Sequence, residues 1–276
     1  MEIRFEHSKK EVSRMTTKEL RDAFLLTGLM KEDEVTYIYS HYDRLITGGV
    51  KPVNAAVELK NHPELRAEYF LERREMGIIN LGGDGVVEAD GATFELYKQS
   101  CLYLGKGTQN VSFKSKDATR PAVYFLLSST AHAVYENRVM HKEEASPVNL
   151  GSVETSNKRT VYKYIHLEGI RSCQLVMGLT VLEPGSVWNS IPCHTHTRRT
   201  EVYCYFDVPA DQRVFHYMGE PQETRHLVMQ NFEAVVSPPW SVHCGSGTSN
   251  YGFIWAMAGE NQVYSDMDVV AVPEML

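Results

Sequence analysis

The chain consists largely of short β-branched and aromatic runs that are separated by glycine and proline turns. Residues 77–113 alternate such runs with Gly-Gly and Asp-Gly pairs, and an Asp-Gly pair between two runs is a strong hairpin signal. The pattern returns after residue 158, in runs such as VYKYIHL, EVYCYFDV and GFIWAMAG. A parallel sheet would need long helices between these runs, and none is present, so the sequence predicts antiparallel β-sheet.

Two β-rich halves lie on either side of a polar, turn-rich stretch at residues 146–158. This order suggests a duplicated barrel, although the two halves contain no clean sequence repeat. We therefore expect a mainly β protein with an N-terminal domain at residues 1–150 and a C-terminal domain at residues 151–276.

A few short helices are expected near the N-terminus. Thr16 and Glu19 have the spacing of a capping box, which predicts a helix that ends at Gly28. Pro63 could open a second helix, but residues 69–80 fit a strand equally well, and periodicity alone does not decide between the two.

Charge and cysteine usage narrow the class of protein. The chain has 28 basic and 35 acidic residues, a formal net charge of −7. Nucleic acids and anionic membranes bind concentrated basic surfaces, so neither is an expected partner. Five cysteines without a Cys-x-x-Cys pair argue against a disulfide framework, and the N-terminus has no signal-like apolar stretch, so we expect a cytoplasmic protein.

One charge-free run, residues 234–259, is long enough to raise the question of a membrane span. Pro238, Pro239, Gly245 and Gly247 interrupt it, and such residues are typical of turns between strands. We therefore expect two buried strands around a turn here.

The segment PCHTHTRRTEVY contains the most informative side chains. On an extended strand, His194 and His196 point to the same face and can bind one ion together. Glu201 lies at an odd offset from them, so residues 197–200 must bend if it is to join. His243 follows a double proline and is the fourth candidate ligand. Three imidazoles and one carboxylate suit zinc, iron, manganese, nickel or copper.

Other histidines and cysteines near these residues have no such pattern. His216 and His226 are expected to be surface or hydrogen-bonding histidines. Cys193 and Cys244 neighbour two candidate ligands in sequence, but adjacent residues of a strand face opposite ways, so we expect both to be small buried hydrophobic residues.

The order His-x-His, four residues, Glu and a distal His resembles the metal motif of the cupin superfamily. More narrowly, the chain resembles the 5-keto-4-deoxyuronate isomerases, also called 4-deoxy-L-threo-5-hexosulose-uronate ketol-isomerases. The similar phrases are YFLERREMGIINLGGDGVV, SCQLVMGLTVLEPGSVWNSIPCHTHTRRTEVYCYFD and FIWAMAGENQVYSDMD, which span most of residues 68–268.

The resemblance implies a bicupin that holds one Zn²⁺ per subunit. It implies that His194, His196, Glu201 and His243 are the zinc ligands, and that the protein is a homo-oligomer, with a hexamer expected. The N-terminal barrel has no His-x-His, so we expect it to lack a metal.

The resemblance also implies an intramolecular oxidoreductase of the aldose–ketose isomerase class. Its reaction interconverts 5-keto-4-deoxyuronate and 3-deoxy-D-glycero-2,5-hexodiulosonate in pectin and uronate degradation, and the partner is a small anionic sugar acid. A bound cation would act as a Lewis acid.

Several residues are candidates for the remaining roles in this reaction. Glu201, Lys163 and Tyr251 are candidates for moving the proton. Arg198 and Arg199 could bind the substrate carboxylate, because a guanidinium group matches its geometry. Gln174 and Met177 are candidates for lining the pocket.

Two other functions fit the same ligand pattern. An iron or manganese cupin dioxygenase would have the same three histidines and one glutamate, but it would consume oxygen. A non-catalytic, sugar-binding bicupin would use the ion only for stability and would not turn over a deoxy-uronate.

Overall fold

Both halves of the chain form largely antiparallel β-sheet in the computed structural model, which describes residues 1–276. The strands of the first half are β1 (Glu2–Arg4), β2 (Leu25–Leu26), β3 (Thr36–Ser40), β4 (Ile46–Val50), β5 (Val57–Glu58), β6 (Arg74–Asn80), β7 (Gly85–Ala89), β8 (Ala92–Leu96), β9 (Cys101–Leu104), β10 (Val111–Ser115), β11 (Tyr124–Thr130) and β12 (Arg138–Met140). Those of the second half are β13 (Val148–Leu150), β14 (Arg159–Ile165), β15 (Val176–Leu182), β16 (Trp188–Asn189), β17 (His194–Thr195), β18 (Arg199–Phe206), β19 (Val214–Glu220), β20 (Glu223–Met229), β21 (Ala234–Ser237), β22 (Cys244–Gly247), β23 (Gly252–Gly259) and β24 (Asp268–Val269).

Helices are short and few. Two are α-helices, α1 (Lys9–Val12) and α2 (Thr17–Phe24), and four single turns of 3₁₀ helix lie at Tyr42–Arg44, Pro63–Leu65, Lys142–Glu144 and Val272–Glu274. No helix has the length and apolar character that crossing a membrane would require. The expectation of a mainly β fold with short helices near the N-terminus is confirmed.

The first compact unit comprises Met1–Arg4, Gly28–Ser146 and Tyr164–Met177. Its larger sheet has the strand order β1-β3-β4-β11-β6-β9-β12, and its smaller sheet has the order β5-β10-β7-β8. Buried apolar side chains such as Met76 and Ile78 form the core of this unit.

The second compact unit comprises Phe5–Thr27, Pro147–Lys163 and Gly178–Leu276. Its sheets have the orders β13-β14-β15-β23-β18-β21-β2 and β16-β22-β19-β20, with a separate pair β17-β24. The chain is therefore not divided by a single cut at residue 150, because the N-terminal helices and β2 fold with the C-terminal strands.

Specific contacts place this N-terminal segment in the second unit. The buried side chains of Leu20 and Phe24 form the inner face of α2, and β2 pairs with β21. The guanidinium of Arg225 donates hydrogen bonds to the carbonyls of Val12 and Met15. Because of these long-range contacts, residues 5–27 belong to the second unit although they precede most of the first unit in sequence.

The two units repeat one topology. Each has a seven-stranded and a four-stranded sheet, and β6 of the first unit occupies the place that β18 occupies in the second. Glu201 and Met76 are each the third residue of these strands and the first residue of a four-residue ladder with the next strand. A thioether thus stands in the first barrel where a carboxylate stands in the second.

The local predictions have mixed outcomes. The hairpin at Asp90-Gly91 is confirmed, with both residues at positive φ between β7 and β8. Helix α2 ends at Phe24 rather than at Gly28, because the next two residues pair with β21. The strand alternative is right for residues 74–80, and residues 234–259 form three strands rather than two.

We expect Thr16→Ala to lower the free energy of unfolding of the second unit by about 1 kcal/mol. The Thr16 hydroxyl accepts from the amide of Glu19, whose carboxylate in turn accepts from the Thr16 amide, so the substitution leaves the Glu19 amide in the first turn of α2 unpaired. Urea denaturation measures the change. Thr17→Ala, one residue later, removes the same hydroxyl group without removing a cap, and an equal loss in both variants would contradict the capping role.

Candidate metal centre

The four candidate ligands come together inside the second unit. His194 belongs to β17, His196 follows that strand, Glu201 lies on β18, and His243 directly precedes β22. Their ligand atoms all lie within 4.8 Å of one another. The bend expected between residues 197 and 200 is present as a turn, in which the Arg199 amide donates to the His196 carbonyl at 3.3 Å.

The donor atoms face a common point. Oε2 of Glu201 lies 2.9 Å from Nε2 of His196 and 2.9 Å from Nε2 of His243. Nε2 of His243 lies 3.0 Å from Nε2 of His194. Donors that share one ion with bonds of about 2.0–2.2 Å have separations of this order.

Backbone carbonyls orient two of the imidazoles. Nδ1 of His196 lies 2.6 Å from the carbonyl of Asp266, and Nδ1 of His243 lies 3.3 Å from the carbonyl of Ser241. A carbonyl oxygen only accepts, so Nδ1 is the donor in both rings. In the neutral ring, Nε2 then presents a lone pair to the centre, which is the usual orientation of a metal-ligating histidine.

Burial sets the charge states of the cluster. It lowers the pKa of His194 to about 2, with the neighbouring His243 acting in the same direction, so this ring is neutral. Burial alone would raise the pKa of Glu201, but the imidazoles of His243 and His196 hold it well below its usual value. A carboxylate that is only 3% exposed needs positive charge beside it.

The residues fit a divalent metal ion. Three imidazole nitrogens and one carboxylate form a borderline ligand set, which suits several transition metals. The buried carboxylate gains the positive charge that it requires, and the lone pairs converge on one point. This donor set supports a metal site but does not by itself select one element.

A cavity of about 280 Å³ adjoins this cluster. Its lining combines three of the ligands with residues of β14, β15, β18, β23 and the C-terminal segment: Leu150, Arg159, Val161, Thr180, Ser190, Ile191, Pro192, His194, His196, Glu201, Tyr203, Phe253, Trp255, Met257, Tyr264, Met267 and Val269. The cavity volume suits a small molecule.

The two arginines expected to bind a carboxylate have other partners. Arg198 donates from Nε to both carboxylate oxygens of Asp266, at 2.8 and 2.9 Å, and also pairs with Asp268. Arg199 is buried and donates to the carbonyls of Val263 and Asp266. Neither arginine lines the cavity. Both fix the segment that follows β23 instead.

Two of the expected proton carriers also lie outside the cavity lining. Tyr251 is buried, its hydroxyl donates to the Val187 carbonyl at 3.2 Å, and burial raises its pKa well above the usual value. Lys163 places its ammonium 5.2 Å from the ring centre of Tyr264, which does line the cavity. Of the three candidates, Glu201 alone is part of the lining.

Gln174 and Met177 belong to the first unit. The side-chain amide of Gln174 donates to the Thr130 carbonyl at 3.0 Å. The backbone N–H of Gln174 donates to the buried carboxylate of Glu75. Met177 is fully buried, and its sulfur lies so close to Gly77 that a Cβ there would clash. Neither residue lines the cavity, and both have structural contacts that account for them.

The remaining cysteines and histidines of the segment are also placed. Cys193 and Cys244 are fully buried in one small apolar cluster, as expected. His216 is also buried, and its Nδ1 lies 2.8 Å from the Tyr205 hydroxyl, so its hydrogen-bonding role is present. Burial lowers the pKa of His216 to about 3. His226 is exposed on β20.

Sequence reasoning missed Arg159, Tyr203 and Tyr264, which line the cavity. The alternation of strand residues could have indicated Arg159, because it lies on the same face of β14 as the candidate Lys163, four residues later. Tyr203 likewise shares the face of Glu201 on β18. Tyr264 lies in the turn-rich segment after β23, where no local pattern places a side chain.

Comparison with known proteins identifies the family. Residues 25–272 match the profile of the KduI/IolB family. The chain belongs to the KduI/IolB family. A relative from Shouchella clausii is 52% identical over 275 residues, covering 100% of both chains, and one from Halalkalibacterium halodurans is 50% identical with the same coverage. Both are named 4-deoxy-L-threo-5-hexosulose-uronate ketol-isomerase, which confirms the expected family and enzyme class.

Solved structures of low sequence identity confirm the cupin fold of this KduI/IolB member. An IolB-like protein from Salmonella typhimurium has a TM-score of 0.66 at 13% identity and covers 90% of this chain and 96% of its own. An oxalate decarboxylase from Lactobacillus farciminis has a TM-score of 0.59 at 11% identity, with coverages of 86% and 83%. At these identities the likeness concerns the fold alone.

We expect His243→Gln to weaken metal binding by at least about 100-fold, because losing even an outer partner of a ligand costs about 10–100-fold. Metal content after dialysis, measured by elemental analysis, should fall to a small fraction of the wild-type value. His226→Gln changes an exposed histidine in the same way and should keep the full metal content. Equal retention of metal by both variants would exclude His243 as a ligand.

Proposed function

We propose that the protein is a zinc-dependent ketol-isomerase that interconverts 5-keto-4-deoxyuronate and 3-deoxy-D-glycero-2,5-hexodiulosonate in pectin and uronate degradation. The main support is a buried group of three histidines and one glutamate that adjoins a cavity of metabolite size. The full-length relatives named as ketol-isomerases support the same reaction.

His194, His196, Glu201 and His243 hold the Zn²⁺ in this proposal, one ion per chain. Bound zinc supplies Lewis acidity toward the carbonyl and hydroxyl oxygens of the substrate and needs no redox change. The carbonyls of Asp266 and Ser241 keep the rings of His196 and His243 oriented. Water is excluded from the inner side by Phe253 and Trp255, which are buried and line the cavity.

The reaction moves one proton between adjacent carbons, and Glu201 is the residue that we assign to this step. Its carboxylate directs Oε2 at two imidazoles and has a second oxygen that can accept a proton. The neighbouring imidazoles lower the pKa of Glu201, so the carboxylate is in the ionised form that accepting a proton requires. Tyr203 and Tyr264 present hydroxyl groups to the same cavity.

We further propose a cytoplasmic homo-oligomer, with a hexamer as the expected form. All five cysteines are free, as in a reducing compartment. The edge strand β13 exposes Val148 and Leu150, at 38% and 41%, and exposed apolar groups on an edge strand are suited to covering by another chain. Light scattering during size-exclusion chromatography gives the number of chains.

The decisive experiment combines metal analysis with turnover under anaerobic conditions. The purified protein should contain one zinc per chain and isomerise 5-keto-4-deoxyuronate without oxygen. Chelation should lower the rate at least about 100-fold, since Lewis-acid stabilisation contributes several kcal/mol, and added Zn²⁺ should restore it.

Proton NMR in D₂O should find solvent deuterium in the product if the proton-transfer route operates.

The alternatives give different results in the same experiment. A dioxygenase would consume oxygen in proportion to substrate and would fail with zinc. A non-catalytic binding protein would hold the metal without turning over any deoxy-uronate. Full activity in protein shown to be free of metal would refute the zinc-dependent reaction.

A further inference from the structure

Arg159 is a cation in the wall of the metal-site cavity. It is the first residue of β14, and the alternation of that strand places Val161 on the same face. Both residues line the cavity that His194, His196 and Glu201 also line. Arg159 therefore lines the same cavity as three of the proposed zinc ligands.

The guanidinium of Arg159 is held in place by a neutral group. Its Nη1 donates to the Asn157 carbonyl at 2.9 Å. The Asn157 side chain is itself fixed, because its Oδ1 accepts from the Ser152 amide at 3.1 Å and from the Thr155 hydroxyl at 2.6 Å. A carbonyl orients the guanidinium but supplies no negative charge.

The surroundings of Arg159 leave its charge uncompensated. Burial lowers its pKa, and the groups that oppose this shift are the phenols of Tyr203, Tyr264 and Tyr251, which are neutral at pH 7. The acidic side chain in the cavity wall is Glu201, and its Oε2 faces two imidazoles rather than Arg159. Arg159 is half-buried, and removing a cation even partly from water without a charged partner is costly, so the cavity favours an anionic ligand.

Arg159 differs in this respect from the other two arginines near the site. Arg198 is neutralised by Asp266 and Asp268, and Arg199 is buried outside the cavity lining. Lys163 adds positive charge on the same face of β14, with its ammonium against the ring of Tyr264. The positive side of the cavity thus lies along β14.

We propose that Arg159 binds the carboxylate of the sugar-acid substrate and so fixes which end of the substrate faces the metal centre. This inference rests on the proposed function. In 5-keto-4-deoxyuronate the carboxylate and the reacting aldehyde are at opposite ends of a six-carbon chain. A guanidinium matches a carboxylate with two parallel hydrogen bonds, so holding one end at Arg159 directs the other end toward the histidines.

Steady-state kinetics of Arg159→Gln with 5-keto-4-deoxyuronate test this assignment. The KM should rise about 10–100-fold, the loss typical of a hydrogen-bonded charged partner, whereas kcat should change little, because binding is lost equally in the ground and transition states. Arg159→Lys keeps the charge without the fork and should give an intermediate KM. Arg120→Gln is the matched control, since Arg120 is 84% exposed and forms its ion pair with Asp117.

Two further measurements separate this role from a structural one. The zinc content and the melting temperature of Arg159→Gln and Arg159→Lys should equal those of the wild type. If Arg159→Gln fails to fold, the Lys variant alone carries the test, and its KM should still rise, by less than the about 10–100-fold expected for Gln. An unchanged KM in a folded, zinc-loaded Arg159 variant would overturn the proposal.

A binding experiment distinguishes failure of this inference from failure of the proposed function. Isothermal titration compares D-galacturonate with D-galactose, which has a hydroxymethyl group in place of the carboxylate. The zinc-loaded wild type should prefer the acid, and Arg159→Gln should lose that preference even if 5-keto-4-deoxyuronate is not turned over. Turnover by the wild type together with an unchanged preference for the acid in Arg159→Gln would leave the isomerase standing and remove Arg159 from substrate binding.

Discussion

A carboxylate in the interior of the second barrel, surrounded by imidazoles, is the constraint on which the rest of the site depends. Glu201 cannot be stable there as an isolated charge, since burying an ion without a partner costs several kcal/mol. Positive charge at the meeting point of its oxygen and three Nε2 atoms removes that cost. The cluster therefore makes chemical sense as a cation site, and the surrounding structure serves to keep the lone pairs aimed at one point.

The segment after β23 supplies much of that surrounding structure. The Asp266 carbonyl contacts Nδ1 of His196 and also accepts from Arg199, while the Asp266 carboxylate pairs with Arg198. Arg198 and Arg199, which follow the histidine motif in sequence, thus bind the segment after β23 that contacts His196. Their charge stabilises a loop around the ligands, and this role explains why neither lines the cavity.

The fold class, the family and the four candidate ligands could be predicted from the sequence. Each of these predictions rests on the spacing of nearby residues or on short segments that resemble the family. Alternation along strands predicted that His194 and His196 lie together, and the polar TRRT turn allowed Glu201 to join them. The partners of Arg198 and Arg199 lie more than sixty residues away, and Tyr264 is placed by the same distant segment, so local pattern could not assign them. The sequence also did not show that the N-terminal helices fold with the second unit, since the pairing of β2 with β21 is a long-range contact.

That pairing has a consequence for how the chain is made. Strand β2, at the edge of the larger sheet of the second barrel, is synthesised before the other strands of that sheet, and its partner β21 follows about two hundred residues later. At roughly 5–20 residues per second, β2 waits on the order of ten to forty seconds on the ribosome before it can be used. The larger sheet of the barrel that contains the candidate ligands thus receives its first-made strand only late in translation.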